Sequence, residues 1–307
     1  MQRLVLAWMV AAIIAPAAPQ RTTVEPRPGY LLVDATATDK SGKFVTDLRP
    51  EEFEVWIGGY RVPIQSVSIV EPAAEGPSRR SITLLFDDIT VDPSITPRMR
   101  EVGRQFVTRL AAGDRMAVAM LSGARIPSTD MRAQLLQAID KLGPRAVGVM
   151  RPDTLAAHVL QTLAAIADGM SETAERSAIV AIGPAWLFDT PIPPSSIGGD
   201  LRPEWTATVR ALARANANLY VIDPGGVGRS GVTGGASGFA RDTGGFAFTN
   251  TNDFSAVADR IIRDTSSYYR LQVDDPPVGR SADLRAVDVR VKRRGVSVRA
   301  RRAIPGA

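Results

Sequence analysis

Cysteine is absent from all 307 positions. That excludes disulfide cross-links, thiolate metal sites and cysteine nucleophiles together. Histidine occurs once, as His158, so a Ser-His-Asp triad would have to be built on it. Its neighbours Ala156, Ala157 and Val159 place it in an ordinary helix, and there is no Gly-x-Ser-x-Gly elbow to supply a nucleophile. No Walker A sequence is present. Lysine supplies only Lys40, Lys43, Lys141 and Lys292 of the 37 cations, the rest being arginine. Beyond the first residues, no apolar run reaches the length of a membrane-spanning helix.

What is present begins with a leader. Arg3 precedes an apolar stretch, Leu4 to Ile14, and Ala15-Pro16-Ala17 follows at cleavage-type spacing. Residues 1–18 read as a secretory signal peptide and 19–29 as a polar, Pro-rich linker. The expected location is therefore secreted, periplasmic or cell-envelope, with membrane attachment only if the leader stays uncleaved. Without disulfides, an exported chain depends on its core, and a hydrophobic content of 45% is enough to build one.

Three strand-like runs follow: Tyr30 to Thr38, Phe53 to Ile57 and Val62 to Val70, separated by Asp39-Lys40-Ser41-Gly42 and Gly58-Gly59. They define an all-β module over 30–78, with Glu71 to Arg80 as a linker. From residue 79 to 267 apolar strands alternate with amphipathic helices. One such helix starts at Thr96-Pro97 and carries Met99, Val102, Phe106 and Leu110 on one face. This alternation predicts an α/β fold, a doubly wound and mostly parallel sheet with helices on both faces. Residues 268–307 return to strands, with a hairpin turn read at Lys292-Arg293-Arg294-Gly295. The N- and C-terminal strands are expected to pack together as one β module flanking the α/β part.

The segment with most chemistry is Ser81 to Thr90. An apolar strand runs directly into Asp87 and Asp88, delivering two carboxylates to the C-terminal edge of a parallel sheet, where such folds bind ligands. A hard divalent cation takes oxygen ligands of this kind, either at Asp87 or at Asp88 with Thr90 and Asp92. The plainer reading is that these acids cap the loop that follows. An aspartate-dependent phosphatase would need Asp-x-Asp, but the acids are adjacent and Ile89 holds the third position. Gly226 to Gly231 formally fits Gly-x-Gly-x-x-Gly after a strand, but the spacing reads as a glycine loop continuing through Gly234, Gly235 and Gly238 rather than as a dinucleotide site.

An ordered set of short matches covers nearly the whole chain after the leader. It comprises Asp47-Leu48 with Glu51-Glu52-Phe53-Glu54-Val55, then Leu84-Leu85-Phe86-Asp87-Asp88 and Gly113-Asp114-Arg115. Ala215 to Asp223, Thr243 to Phe248, Asn250 to Asp253 and Tyr268 to Leu271 complete it. In these residues the chain resembles the secreted VWFA-related acidobacterial domain family, and residues 81–265 resemble a von Willebrand factor A domain with its Rossmann-like sheet. That resemblance implies a binding or adhesion module acting through loops at the top of the sheet, and no enzymatic activity. It also implies a metal-ion-dependent adhesion site opening Asp-x-Ser-x-Ser, holding Mg²⁺ or another divalent cation. Here Ile89 and Val91 stand at the two serine positions. Thr154 falls at the family's threonine, and Gly183-Pro184 stands where a further acid is expected. The site is thus degenerate, with Asp87, Asp88, Thr90, Asp92 and Thr154 as its remaining candidates.

The expected partner is a protein. A metal-dependent hydrolase using Asp87 and Asp88, or a scaffold without a partner, are the alternatives. The cations Arg285, Arg290, Lys292, Arg293, Arg294, Arg299, Arg301 and Arg302 read either as a solvated strand edge or as a contact for an anionic envelope component. Export argues against nucleic acid.

Overall fold

A computed structural model describes residues 29–71, 80–145, 150–170, 176–188, 200–228, 234–277 and 283–306. The leader and most of the first linker lie outside the described residues, as does most of the linker read at Glu71 to Arg80. In chain order the elements begin with β1 Tyr30–Thr38, β2 Phe53–Ile57, β3 Tyr60–Val62 and β4 Ile64–Val70. The α/β part comprises β5 Ser81–Phe86, α1 Thr96–Thr108, β6 Arg115–Met120, β7 Arg125–Thr129, α2 Arg132–Asp140, α3 Pro152–Asp168 and β8 Ser177–Ile182. It continues with α4 Arg202–Arg214, β9 Ala217–Ile222, α5 Gly234–Asp242, β10 Ala247–Phe248 and α6 Phe254–Ser266. β11 Tyr268–Asp274, β12 Leu284–Val291, β13 Ser297–Ala300 and β14 Ala303–Pro305 end the chain.

The central sheet runs β10-β9-β8-β5-β6-β7 and is parallel except for the edge strand β7. Its inner strands β5, β8 and β9 are largely apolar on both faces because both are covered. Ile82, Leu84 and Phe86 of β5 pack with α1, α2 and α6. Leu85 faces the other way, into a cluster with α3, α4 and α5. Gly103 lets α1 approach closely, since a Cβ there would lie 2.9 Å from the Phe86 ring. The chain passes from β5 to β6 on one side and later returns to β8 on the other. The crevice between the C-terminal ends of β5 and β8 is therefore the topological switch point.

Two four-stranded antiparallel sheets flank this unit, ordered β13-β1-β11-β4 and β14-β12-β2-β3. Both sheets combine strands from before and after the α/β part: Tyr30 pairs with Asp274, and Val55 with Val289. The two sheets enclose a core of Val33, Ala35, Val55, Ile57, Leu271 and Val287. Tyr269 anchors the loop before β2, donating to the Val45 carbonyl at 2.8 Å and accepting from the Leu48 amide at 3.0 Å.

Four local expectations differ. The run Val62 to Val70 is two strands broken at Pro63, whose missing N–H interrupts a ladder. β7 went unread because its residues are polar and mostly exposed, so it carries no apolar signal. The stretch from Gly234, read as loop, is helix α5. Burial of Phe239 and Ala240 overrides the poor helix propensity of its glycines. Finally, Lys292 to Gly295 does not close a hairpin. β12 pairs with β2 and β14, whereas β13 pairs with β1, so this turn carries the chain from one sheet to the other.

Candidate functional site

Asp87 and Asp88 leave β5 at the switch point, and both are buried. Asp87 Oδ1 accepts from the backbone amides of Ile89 at 3.0 Å and Thr90 at 2.9 Å, while Oδ2 accepts from the Thr90 hydroxyl at 2.5 Å. The carboxylate thus caps its own turn. Burial pushes the Asp87 carboxyl above the ordinary range, against the pull of Thr90 and Ile89. Asp88 turns to the next strand instead. Its Oδ1 accepts from the Ser122 amide at 2.9 Å and its Oδ2 from the Ser122 hydroxyl. The residue before Ser122, Leu121, receives the single histidine: His158 Nε2 lies 2.7 Å from its carbonyl oxygen. The end of β6 is therefore pinned from two sides, and His158 ties α3 to the sheet.

The other sequence candidates are dispersed in role. Asp92 Oδ1 caps the short turn Pro93–Ile95 through the Ser94 amide at 2.8 Å. Thr154 sits exposed in the first turn of α3, where Asp153 accepts from its amide at 2.9 Å. Among the described residues, no hydrogen bond joins the Thr154 side chain to Asp87 or Asp88, and no group of three or more His, Cys, Asp or Glu residues could hold a metal ion. A divalent oxygen site needs several converging ligands with free lone pairs. The donor set here does not fit one. Of the five candidates, the structure joins Asp87 with Thr90.

Gly183 explains part of this. A Cβ at that position would lie 2.7 Å from the Asp87 Cβ and 3.5 Å from its Oδ2. No acid can stand there while Asp87 is folded onto its own turn. The missing ligand and the inward carboxylate are two sides of one packing arrangement.

A third acid stands at the same edge of the sheet. Asp223, after β9, accepts from the Gly225 amide at 2.8 Å and the Ala185 amide at 3.1 Å, joining the loops that follow β8 and β9. Between these loops and the β5 turn lies a cleft of about 220 Å³, with Thr90, Val91, Pro184, Trp186, Asp223 and Pro224 among its walls. Trp186 is 54% exposed although its neighbours Ala185, Leu187 and Phe188 are buried. A short, well-anchored turn thus holds a large ring out to solvent. In sequence nothing marks it out, since apolarity alone would send it inward.

The Gly-x-Gly-x-x-Gly loop is occupied by protein. At Gly226, φ is +78° and a Cβ would lie 2.3 Å from both Arg98 Nη1 and Asn252 Oδ1. Arg98 donates to the Gly225 carbonyl at 2.9 Å. Residues 229–233 lie outside the described residues. Of the C-terminal cations, Arg285 pairs with Asp275, Arg293 with Asp47 and Glu52, and Arg299 with Asp264. Arg294 and Arg302 are exposed.

No protein-family model matches the chain, and no curated protein matches it. Among solved structures, an aerotolerance-related membrane protein from Bacteroides fragilis NCTC 9343, carrying multiple mutations to serines, is similar with a TM-score of 0.40 at 12% identity. The match covers 60% of this chain and 98% of that one. A likeness at that level assigns neither family nor function. What stands is a mixed α/β protein whose mostly parallel six-stranded sheet is flanked by antiparallel sheets. Among the described residues, no helix is long and apolar enough to cross a membrane.

Proposed function

We propose that this chain is an exported binding module of the von Willebrand factor A type, whose protein partner docks on the loops at the C-terminal edge of the central sheet. The observation that carries this reading is Trp186, held 54% exposed beside a cleft at the sheet's switch point. Tryptophan is among the side chains enriched at the energetic centres of protein interfaces. Docking here runs without an ion bridge, because Asp87 and Asp88 are each spent on internal donors. The same commitment supports a non-enzymatic role, since a carboxylate nucleophile or metal ligand needs an oxygen directed at its substrate. The exported setting rests on the sequence of residues 1–18.

A photo-crosslinking residue placed at position 186 tests the docking face in cells that make the protein. Position 131 is the control, since Met131 is comparably exposed at 63%. The expected result is a discrete adduct from position 186 that excess purified protein suppresses, with none from 131. Equal labelling from both positions would sink the reading.

A further inference from the structure

A second concavity lies away from the switch point, against β6, β7 and the end of α3. It measures about 620 Å³, within the range of small-molecule sites. Its origin is local. α2 covers β6 and β7 on one face, where Val118 joins Leu135 and Ile139 in the core. On the other face β6 presents Arg115 at its start and then only Ala117 and Ala119, so the floor beyond Arg115 is shallow and apolar. Ala165, Ile166 and Met170 supply a wall.

Among the described residues its charge has one sign: the charged lining residues are Arg80, Arg115 and Arg125, with no acid. Arg80 is neutralised by buried Asp114 behind it. Arg115 and Arg125 are exposed, and Arg115 spends one nitrogen on the Ser128 carbonyl. The edge itself discourages an added strand: Pro127 lacks an N–H, and the Arg115 side chain covers the Ser128 carbonyl. The Thr83 hydroxyl inside the groove is directed at Met170 Sδ, 3.6 Å away. A peptide would find few backbone partners here, whereas an alkyl chain needs none.

We propose that this groove binds a single-chain anionic amphiphile, a fatty-acid carboxylate, with its chain over Ala117, Ala119 and Ile166 and its head at Arg125. Calorimetric titration of the full chain with octanoate, decanoate and dodecanoate, below their micelle concentrations, tests it. Saturable one-to-one binding is expected, tightening roughly threefold to fourfold per methylene until the groove is full. Arg125→Ala should weaken dodecanoate about twofold to fivefold, and Arg125→Glu should weaken it more. Ala117→Phe should abolish binding by filling the floor. If that variant does not fold, the surface variants at Arg125 still decide. Absence of saturable binding, or equal affinity for dodecyltrimethylammonium, would overturn the proposal. So would Arg125→Glu binding as well as the parent, or tighter binding of an extended Glu/Leu peptide.

Discussion

At the residue scale, the two strand-end acids behave as struts. Asp87 is protonated more readily in the folded chain than in the unfolded one, because burial raises its carboxyl. Its contribution to stability therefore falls as pH rises from the unfolded value of about 4 through the raised folded value. Asp34 runs the other way. Burial opposes its ionisation, but Arg270, Arg176 and Asn216 outweigh burial and hold it below the ordinary range. Its contribution is present above about pH 4 and is lost as pH falls through the depressed value. Asp87→Asn keeps the Oδ1 acceptor for Ile89 and Thr90. It should change neutral-pH stability by no more than about 1 kcal/mol and remove the loss above pH 4, as denaturant melts across pH would read. Gly183→Ala should cost about 1–3 kcal/mol in the same assay, since the added carbon must displace Asp87.

At the element scale, a buried polar layer joins the β module to the α/β part. Arg270 pairs with Asp34 at 2.9 Å, and Asn216, before β9, donates to Asp34 Oδ2 at 2.8 Å. Arg176 lies 4.1 Å above the Tyr268 ring and donates to the Thr36 hydroxyl at 2.7 Å. On the α/β side, Tyr220 donates to Asp264 Oδ2 at 2.5 Å. Asp34 and Arg270 side chains are only 8% and 12% exposed, so Asp34→Ala leaves a buried guanidinium without its ion. A loss of about 3–5 kcal/mol is expected, measured by urea unfolding. None of this layer was legible in the sequence, because its members come from five separate segments and share no spacing. The central sheet was legible, because strands covered on both faces read as unbroken apolar runs. β7 and α5 were not, since one is a polar edge and the other is glycine-rich at its start. At the site, Asp87 and Asp88 could be found by position alone, but not their orientation. Ser122 and Gly183 set that, and they follow different strands.

At the scale of the whole molecule, the α/β part interrupts a β module that neither end of the chain can complete alone. β1 and β11 are neighbours at the centre of one sheet, and β2 and β12 at the centre of the other. Deleting residues 283–307 removes β12, β13 and β14, exposing Val55 and Ile57 of the shared core. The truncated chain should lose its cooperative unfolding transition for the β module, detectable by calorimetry. The sheet's opposite edge carries the cleft beside Trp186. The docking proposed for this edge needs no ion, because its acids are turned inward. Thermal-shift titration of the purified chain with Mg²⁺, Mn²⁺ and Ca²⁺ tests it most directly. The predicted result is no saturable stabilisation at millimolar concentration. A saturable rise that disappears in Asp87→Ala would contradict it.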